Sequence, residues 1–424
     1  MNTAWYRHVR LCLAFGAIVL SLTSLSSSSS AAMTVEEAVL IAIARHPTLA
    51  AATSEVKAAH TEVKAARSGY LPSFSASGGP QETSPDEWAY EVTAAQMIYD
   101  WGLTRNKVDG ARASERQRRA EWFIARDDAA SDVIETYLDV LLAQSQTEID
   151  LAQIATLEDL VHMTGERADS GYADRSEPER AELELARARQ RLASDEGQAA
   201  DAAAQYETLV GTRPDNLQQP APLSMSQRIK GQDIDALIDE APLYRKALED
   251  TRSARAQFGE ARAGILPRLN LEATALSREI GGRMESDAVV AVRLRMSPMQ
   301  GLSAFHRIDA AQQKVNAAQW TEAATRRDIS RQLRNLIVTS TALEDQALAL
   351  RNQVSGAGEL SDVYREQFAV GRRDIVDLVT IQREHFDARR ALNEITLQSI
   401  RIQYRIAASL GKLSELLPLP EEDL

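Results

Sequence analysis

The stretch ARSGYLP at residues 66–72 returns as ARAGILP at 261–267, with five of seven residues identical and 195 positions between the copies. Each copy closes an Ala-rich charged run, as in AAATSEVKAAHTEVKAA (50–66). The Pro cannot continue a helix and biases its predecessor towards extended backbone. Each phrase therefore reads as a helix stop, with a new element beyond it. A repeat this far apart is too long for a solenoid unit. It marks a duplication in which each half is an entire layered unit.

Beyond each phrase the sequence alternates with period two, the signature of a strand with one apolar and one polar face. In LNLEATAL (269–276), Leu269, Leu271, Ala273 and Ala275 oppose Asn270, Glu272 and Thr274. In VVAVRLRM (289–296), Val290, Val292, Leu294 and Met296 oppose Ala291, Arg293 and Arg295. SFSAS (73–77) alternates weakly, and WAYEVTA (88–94) sets Trp88, Tyr90 and Val92 against Glu91 and Thr93. Strands are expected at about 72–79, 87–98, 267–280 and 286–297. Four strands are too few to close a barrel around any lumen.

The remainder is helix. Residues 111–164 contain neither Gly nor Pro, and so do residues 302–355. At a rise of about 1.5 Å per residue, such a run extends about 80 Å. Apolar residues recur at three and four, as in Val133, Tyr137, Val140 and Leu141, so each helix packs along one stripe. Two further echoes support the duplication: Gly102 with Gly301, and Gly171 with Gly371. The chain divides into a signal peptide (1–32), a first repeat (33–220), a second repeat (221–415) and an acidic tail (416–424). The signal assignment rests on Arg7, His8 and Arg10, the apolar run LCLAFGAIVLSL (11–22), and small residues ending at Ala32. Cys12, the one cysteine, lies inside that segment, so no disulfide is expected.

A formal charge of −13 argues against a nucleic-acid partner. No phosphate loop, nucleophile elbow or zinc-helix motif is present. The six His are scattered with no pair at ligand spacing. No catalysis, metal or cofactor is expected.

The stretches 33–74, 261–270 and 364–394 resemble the outer-membrane factor (TolC) family of trimeric efflux and secretion ducts. The resemblance spans roughly 33–415, although His46-Pro47 stands where Asn-Pro is usual. It implies a mainly α fold with a small β part: duplicated long-helix hairpins plus two β-hairpins. Three chains would form a twelve-stranded outer-membrane barrel continued by an α-helical barrel across the periplasm. The implied partners are two further copies, outer-membrane lipid, a periplasmic adaptor and an inner-membrane ABC or proton-driven pump. Trp88, Tyr90, Tyr99 and Trp101 would lie at membrane–water interfaces. Gly171, Val370 and Gly371 would mark adaptor-contacting turns. The family's gate arginine falls on Arg373, its aromatic partner on Phe368 and its first lining Asp on Asp377. The second lining Asp falls on Thr380, a departure. Ser176 and Glu177 take the first-half gate positions, with Glu177–Arg373 the expected ion pair. Ser176 and Glu179 also match a capping box. The alternative reading is a periplasmic structural coiled-coil scaffold or adaptor, which would have no use for lipid-facing strands.

Overall fold

Two helices of identical length dominate the chain. α3 (Leu103–Asp169) and α8 (Ser303–Ala369) each run 67 residues, about 100 Å. Each turns back into a 35-residue partner, α4 (Ser176–Val210) and α9 (Ile375–Ser409). The computed structural model describes residues 32–81, 84–280, 282–296 and 303–419. The expected signal peptide up to residue 31, Gly301 and the tail from residue 420 lie outside the described residues. The helices overrun the Gly-free windows because Gly165, Gly356 and Gly358 all sit inside them. A helical Gly costs only about 1 kcal/mol against Ala, which a long packed seam absorbs.

Shorter helices precede each hairpin pair. α1 (Val35–Ile43) starts at a capping box in which Thr34 and Glu37 exchange side-chain-to-backbone hydrogen bonds of 3.3 and 3.2 Å. α2 (Pro47–Arg67) and α7 (Pro242–Ala263) both begin with Pro at the first helical position, where its missing N–H costs nothing. Between α4 and α7, at the start of the second repeat, lie α5 (Met225–Arg228) and α6 (Ile234–Glu240).

The repeated phrases end α2 and α7 and hand the chain to β1 (Ser73–Gln81) and β3 (Arg268–Ile280). Gly69 allows a close approach, since a Cβ there would lie 3.1 Å from Thr104 Cγ2. Both phrases are also gripped from β2 (Ser84–Tyr99) and its exit. Gln96 donates to the Tyr70 carbonyl at 2.9 Å, and the Trp101 indole donates to the Pro267 carbonyl at 2.9 Å. Trp101 adopts φ 57°, a left-handed conformation uncommon outside Gly.

With β4 (Arg283–Arg295), the strands form one antiparallel sheet in the order β1-β2-β3-β4. The register sorts the side chains cleanly. Phe74 pairs with Ala94, Ala94 with Ala273, and Ala273 with Val290. Val92, Leu271, Val292 and Leu294 share that face. The opposite face carries Ser73, Ser75, Thr93, Asn270, Thr274, Arg293 and Arg295. A register shift between Met97 and Tyr99 puts Tyr99 opposite Leu269, on the apolar face. The apolar face has no cover within the chain: Phe74, Val290, Val292 and Leu294 are all exposed.

The two repeats are sewn together along α3 and α9. Arg405 forms a bidentate pair with Glu135 (2.7 and 2.8 Å), Arg401 pairs with Asp139, and Arg390 pairs with Asp150 at 2.6 Å. Four residues back along α9 is four forward along α3, and eleven back is eleven forward. The rungs therefore hold one antiparallel register. Arg390 also reaches Asp195 on α4 at 2.7 Å. Burial, opposed by Arg390 and reinforced by the neighbouring Asp195, pushes the Asp150 carboxyl above the ordinary carboxylate range.

Replacing Arg390 by Met would leave two buried carboxylates side by side. A loss of about 3 kcal/mol is expected, the scale for a broken buried pair. An acid whose folded pKa is raised opposes folding once the unfolded chain ionises, above about pH 4. The loss measured by thermal unfolding in detergent should therefore be larger at pH 8 than at pH 5.

Candidate functional site

The ends of the two long hairpins are built to one plan, 200 residues apart. α3 stops in a Schellman turn: Tyr172 N–H bonds the Arg167 carbonyl at 2.9 Å, and Gly171 N–H bonds the Ala168 carbonyl at 3.0 Å. α8 stops identically, with Arg372 to Gln367 at 2.8 Å and Gly371 to Phe368 at 2.9 Å. Gly171 (φ 75°) and Gly371 (φ 72°) occupy the left-handed position that this motif requires. An aspartate stands at the start of each returning helix. Asp174 Oδ1 accepts the Ser176 amide, and Asp374 Oδ1 accepts the Val376 amide, both at 3.3 Å. The expected capping box on Ser176 is corrected accordingly. Ser176 is already helical, Arg175 holds the N-cap position without a side-chain bond, and Asp174, one residue further back, accepts the Ser176 amide.

Beneath the turns, both hairpins share one apolar core. Leu157 and Leu160 of α3, Ala181 and Leu185 of α4, Phe368 of α8, and Ile375 and Leu378 of α9 are all buried there. Phe368 is 0% exposed. It therefore packs beneath the two turns and does not partner Arg373. The Arg167 guanidinium lies over its ring at 4.5 Å and donates to the Phe368 carbonyl at 2.7 Å. Arg167 also approaches Glu177 at 3.4 Å. It thus links α3, α4 and the end of α8.

Arg373 makes a different set of contacts. It stacks on Tyr364 at 3.9 Å, donates to Gln367 at 3.2 Å and pairs with Asp377 at 3.0 Å. The expected Glu177–Arg373 pair is not formed within the chain. Each carboxylate is held by an arginine of its own hairpin, Glu177 by Arg167 and Asp377 by Arg373. The i,i+4 spacing of Arg373 and Asp377 already favoured the local pair. Tyr364, not Phe368, supplies the aromatic face for Arg373. The Thr380 hydroxyl donates back to the Val376 carbonyl at 2.7 Å. Sequence reasoning missed Arg167 because its target, Phe368, lies 201 residues away.

The turns themselves are bare. Tyr172 is 85% exposed and Val370 69%, with Gly171 and Gly371 open beside them. The other expected aromatics lie at the far end, on the sheet. Trp88 and Tyr90 stack with centroids 6.4 Å apart, and Tyr99 meets Trp101 edge-on at 5.0 Å.

Two long stretches of the chain, 39–212 and 234–412, match the family model described as outer membrane efflux protein. The chain belongs to the outer membrane efflux protein family. It is 20% identical over 415 residues to the outer membrane efflux protein BepC of Brucella suis, covering 95% of this chain and 90% of that protein. It is 24% identical over 301 residues to protein CyaE of Bordetella pertussis, covering 66% of this chain. That match spans 63% of the length of CyaE. Among solved structures, the outer-membrane channel OprN superposes with TM-score 0.79 at 18% identity, over 89% of this chain and 90% of that one. The outer membrane protein VceC of Vibrio cholerae gives 0.77 at 15% identity, over 89% and 96%. The fold is that of an outer-membrane channel subunit, and the two matched stretches follow the duplicated plan of hairpin and strands.

Removing the Arg167 side chain should loosen both tips, because it bridges them. Hydrogen exchange in Arg167→Ala is expected to speed up at the amides of Tyr172 and Gly371 together. Arg373→Ala should speed up exchange at the second tip alone.

Proposed function

We propose that three copies of this chain form an outer-membrane exit duct. It is a passive pore of a tripartite efflux or type I protein secretion system, opened by an inner-membrane pump through a periplasmic adaptor. The observation that carries the reading is the sheet. Four strands with segregated faces leave the outer edges of β1 and β4 unpaired and an apolar face uncovered. In lipid every backbone group must be paired, so β4 of one copy must meet β1 of the next until a barrel closes. No helix among the described residues is long and apolar enough to cross a membrane, so the strands are the membrane element.

The aromatic pairs fit the two interfaces. Tyr90 and Tyr99 share the apolar face. Nine residues of strand span about 30 Å, which a tilt of about 40° reduces to about 23 Å, close to the apolar band of such barrels. Trp88 with Tyr90 then marks one boundary, and Tyr99 with Trp101 the other.

At the opposite end, the turns at Gly171 and at Val370 and Gly371, with Tyr172 exposed beside them, present the surface for the adaptor. Arg373, Asp377 and Thr380 on the second hairpin, with Ser176 and Glu177 on the first, form the entrance. Arg167 over Phe368 fastens the two hairpins within each copy. The chain is a conduit and not an enzyme. A periplasmic scaffold would hide or lack a lipid-compatible face, whereas here Phe74, Val290, Val292 and Leu294 all stand exposed on one face.

The test compares lysines on the two sides of the sheet. Val292→Lys faces lipid and is expected to cost about 2–4 kcal/mol and to block outer-membrane assembly. Thr274→Lys faces the lumen and should assemble normally. Purified protein should conduct in planar bilayers, with Arg167→Ala conducting more than wild type. A protein recovered soluble from the periplasm, indifferent to Val292→Lys, would favour the scaffold instead.

A further inference from the structure

The polar face of the sheet is not uniformly charged. At the end nearest the helices, Arg268 stands opposite Arg295, Asn270 opposite Arg293, and Glu272 opposite Ala291. Glu272 is the one acid at this level among the described residues. Its neighbours on β2 are Ala95 and Met97, and Ser73 follows on β1. The Glu272 side chain is 2% exposed and is gripped from two sides, by Arg295 at 2.7 and 2.8 Å and by Arg293 at 3.3 Å. Both arginine side chains stay largely open, 60% for Arg295 and 51% for Arg293. Arg268 has no ion-pair partner among the described residues. Three guanidiniums against one carboxylate leave two net positive charges in each copy. Towards the outer end of the same face the signs nearly balance, with Glu91, Glu285 and Asp287 against Arg278 and Arg283.

We propose that Arg268, Arg293 and Arg295, braced by Glu272, form a basic collar at the inner neck of the barrel that selects for anionic solutes and anionic groups on cargo. The proposal rests on the reading that three copies close a barrel with this face inward. Glu272 acts as a brace. By accepting from Arg295 and pairing with Arg293 it fixes their side chains, while each keeps further N–H donors turned to the lumen. Fixed donors in a ring attract carboxylate and phosphate oxygens in geometries a guanidinium matches, and a ring of arginines is a recognised device for anion pores.

The experiment is the reversal potential of the full-length protein in planar bilayers under a KCl gradient. The chloride-to-potassium permeability ratio should rise as ionic strength falls from about 1 M to about 0.1 M, because the screening length grows from about 3 to about 10 Å. Arg293→Gln with Arg295→Gln should shift the ratio towards potassium by about two-fold or more. Glu272→Gln should shift it towards chloride. Arg278→Gln with Arg283→Gln, on the same face at the outer end, should shift it less than the collar pair. Channels that form normally but show the same ratio in wild type and both collar variants, with no dependence on ionic strength, would overturn the collar. A protein that forms no channel at all would instead overturn the duct reading.

Discussion

A sheet of four strands with two open edges cannot stay in a membrane as it stands. Each unpaired N–H or C=O on β1 and β4 costs several kcal/mol in hydrocarbon. That constraint organises the rest of the molecule. In the proposed duct it is met by further copies at the top, which would bring their long helices together below. The apolar face from Phe74 to Leu294 and the polar face from Ser73 to Arg295 then receive lipid and water respectively. Neither face would make sense in a lone chain.

Duplication solves the geometry of the helical part. Two hairpins of 67 and 35 residues, each closed by the same Schellman turn and an Asp that accepts the amide two residues on, stand side by side. The joint between them differs along their length. Midway, the arginines of α9 lock onto the carboxylates of α3 in one register, with the Asp150–Arg390–Asp195 cluster partly buried. At the tip the join consists of Arg167 over Phe368, the Arg365–Asp159 ion pair and a small apolar core. The Arg373–Asp377 pair stays inside one hairpin.

Much of this architecture is legible in the amino-acid sequence. The Leu-Pro phrases, the period-two runs and the turn glycines place four strands and four long helices, because Pro, alternation and αL glycine act locally. Helix ends are less legible. Gly165 and Gly356 ride on an open face, where an added Cβ would meet nothing within 4 Å, whereas Gly171 and Gly371 carry positive φ. A letter in the sequence does not distinguish the two. The tip contacts are the least legible. Phe368 and Tyr364 lie four residues apart on one helix, and only packing decides which ring is buried and which receives Arg373. Arg167 carries no local sign of its role. The duplication offers one clue, since Glu177 and Asp377 occupy matching places beside arginines of their own hairpins.

Closure by identical neighbours is the claim on which the faces, the edges and the lumen all depend. The most direct measurement is the mass of the intact assembly in detergent by native mass spectrometry. The account predicts a particle of three chains that survives until the helices and strands melt together. A fully folded, stable single chain with its sheet intact would contradict it.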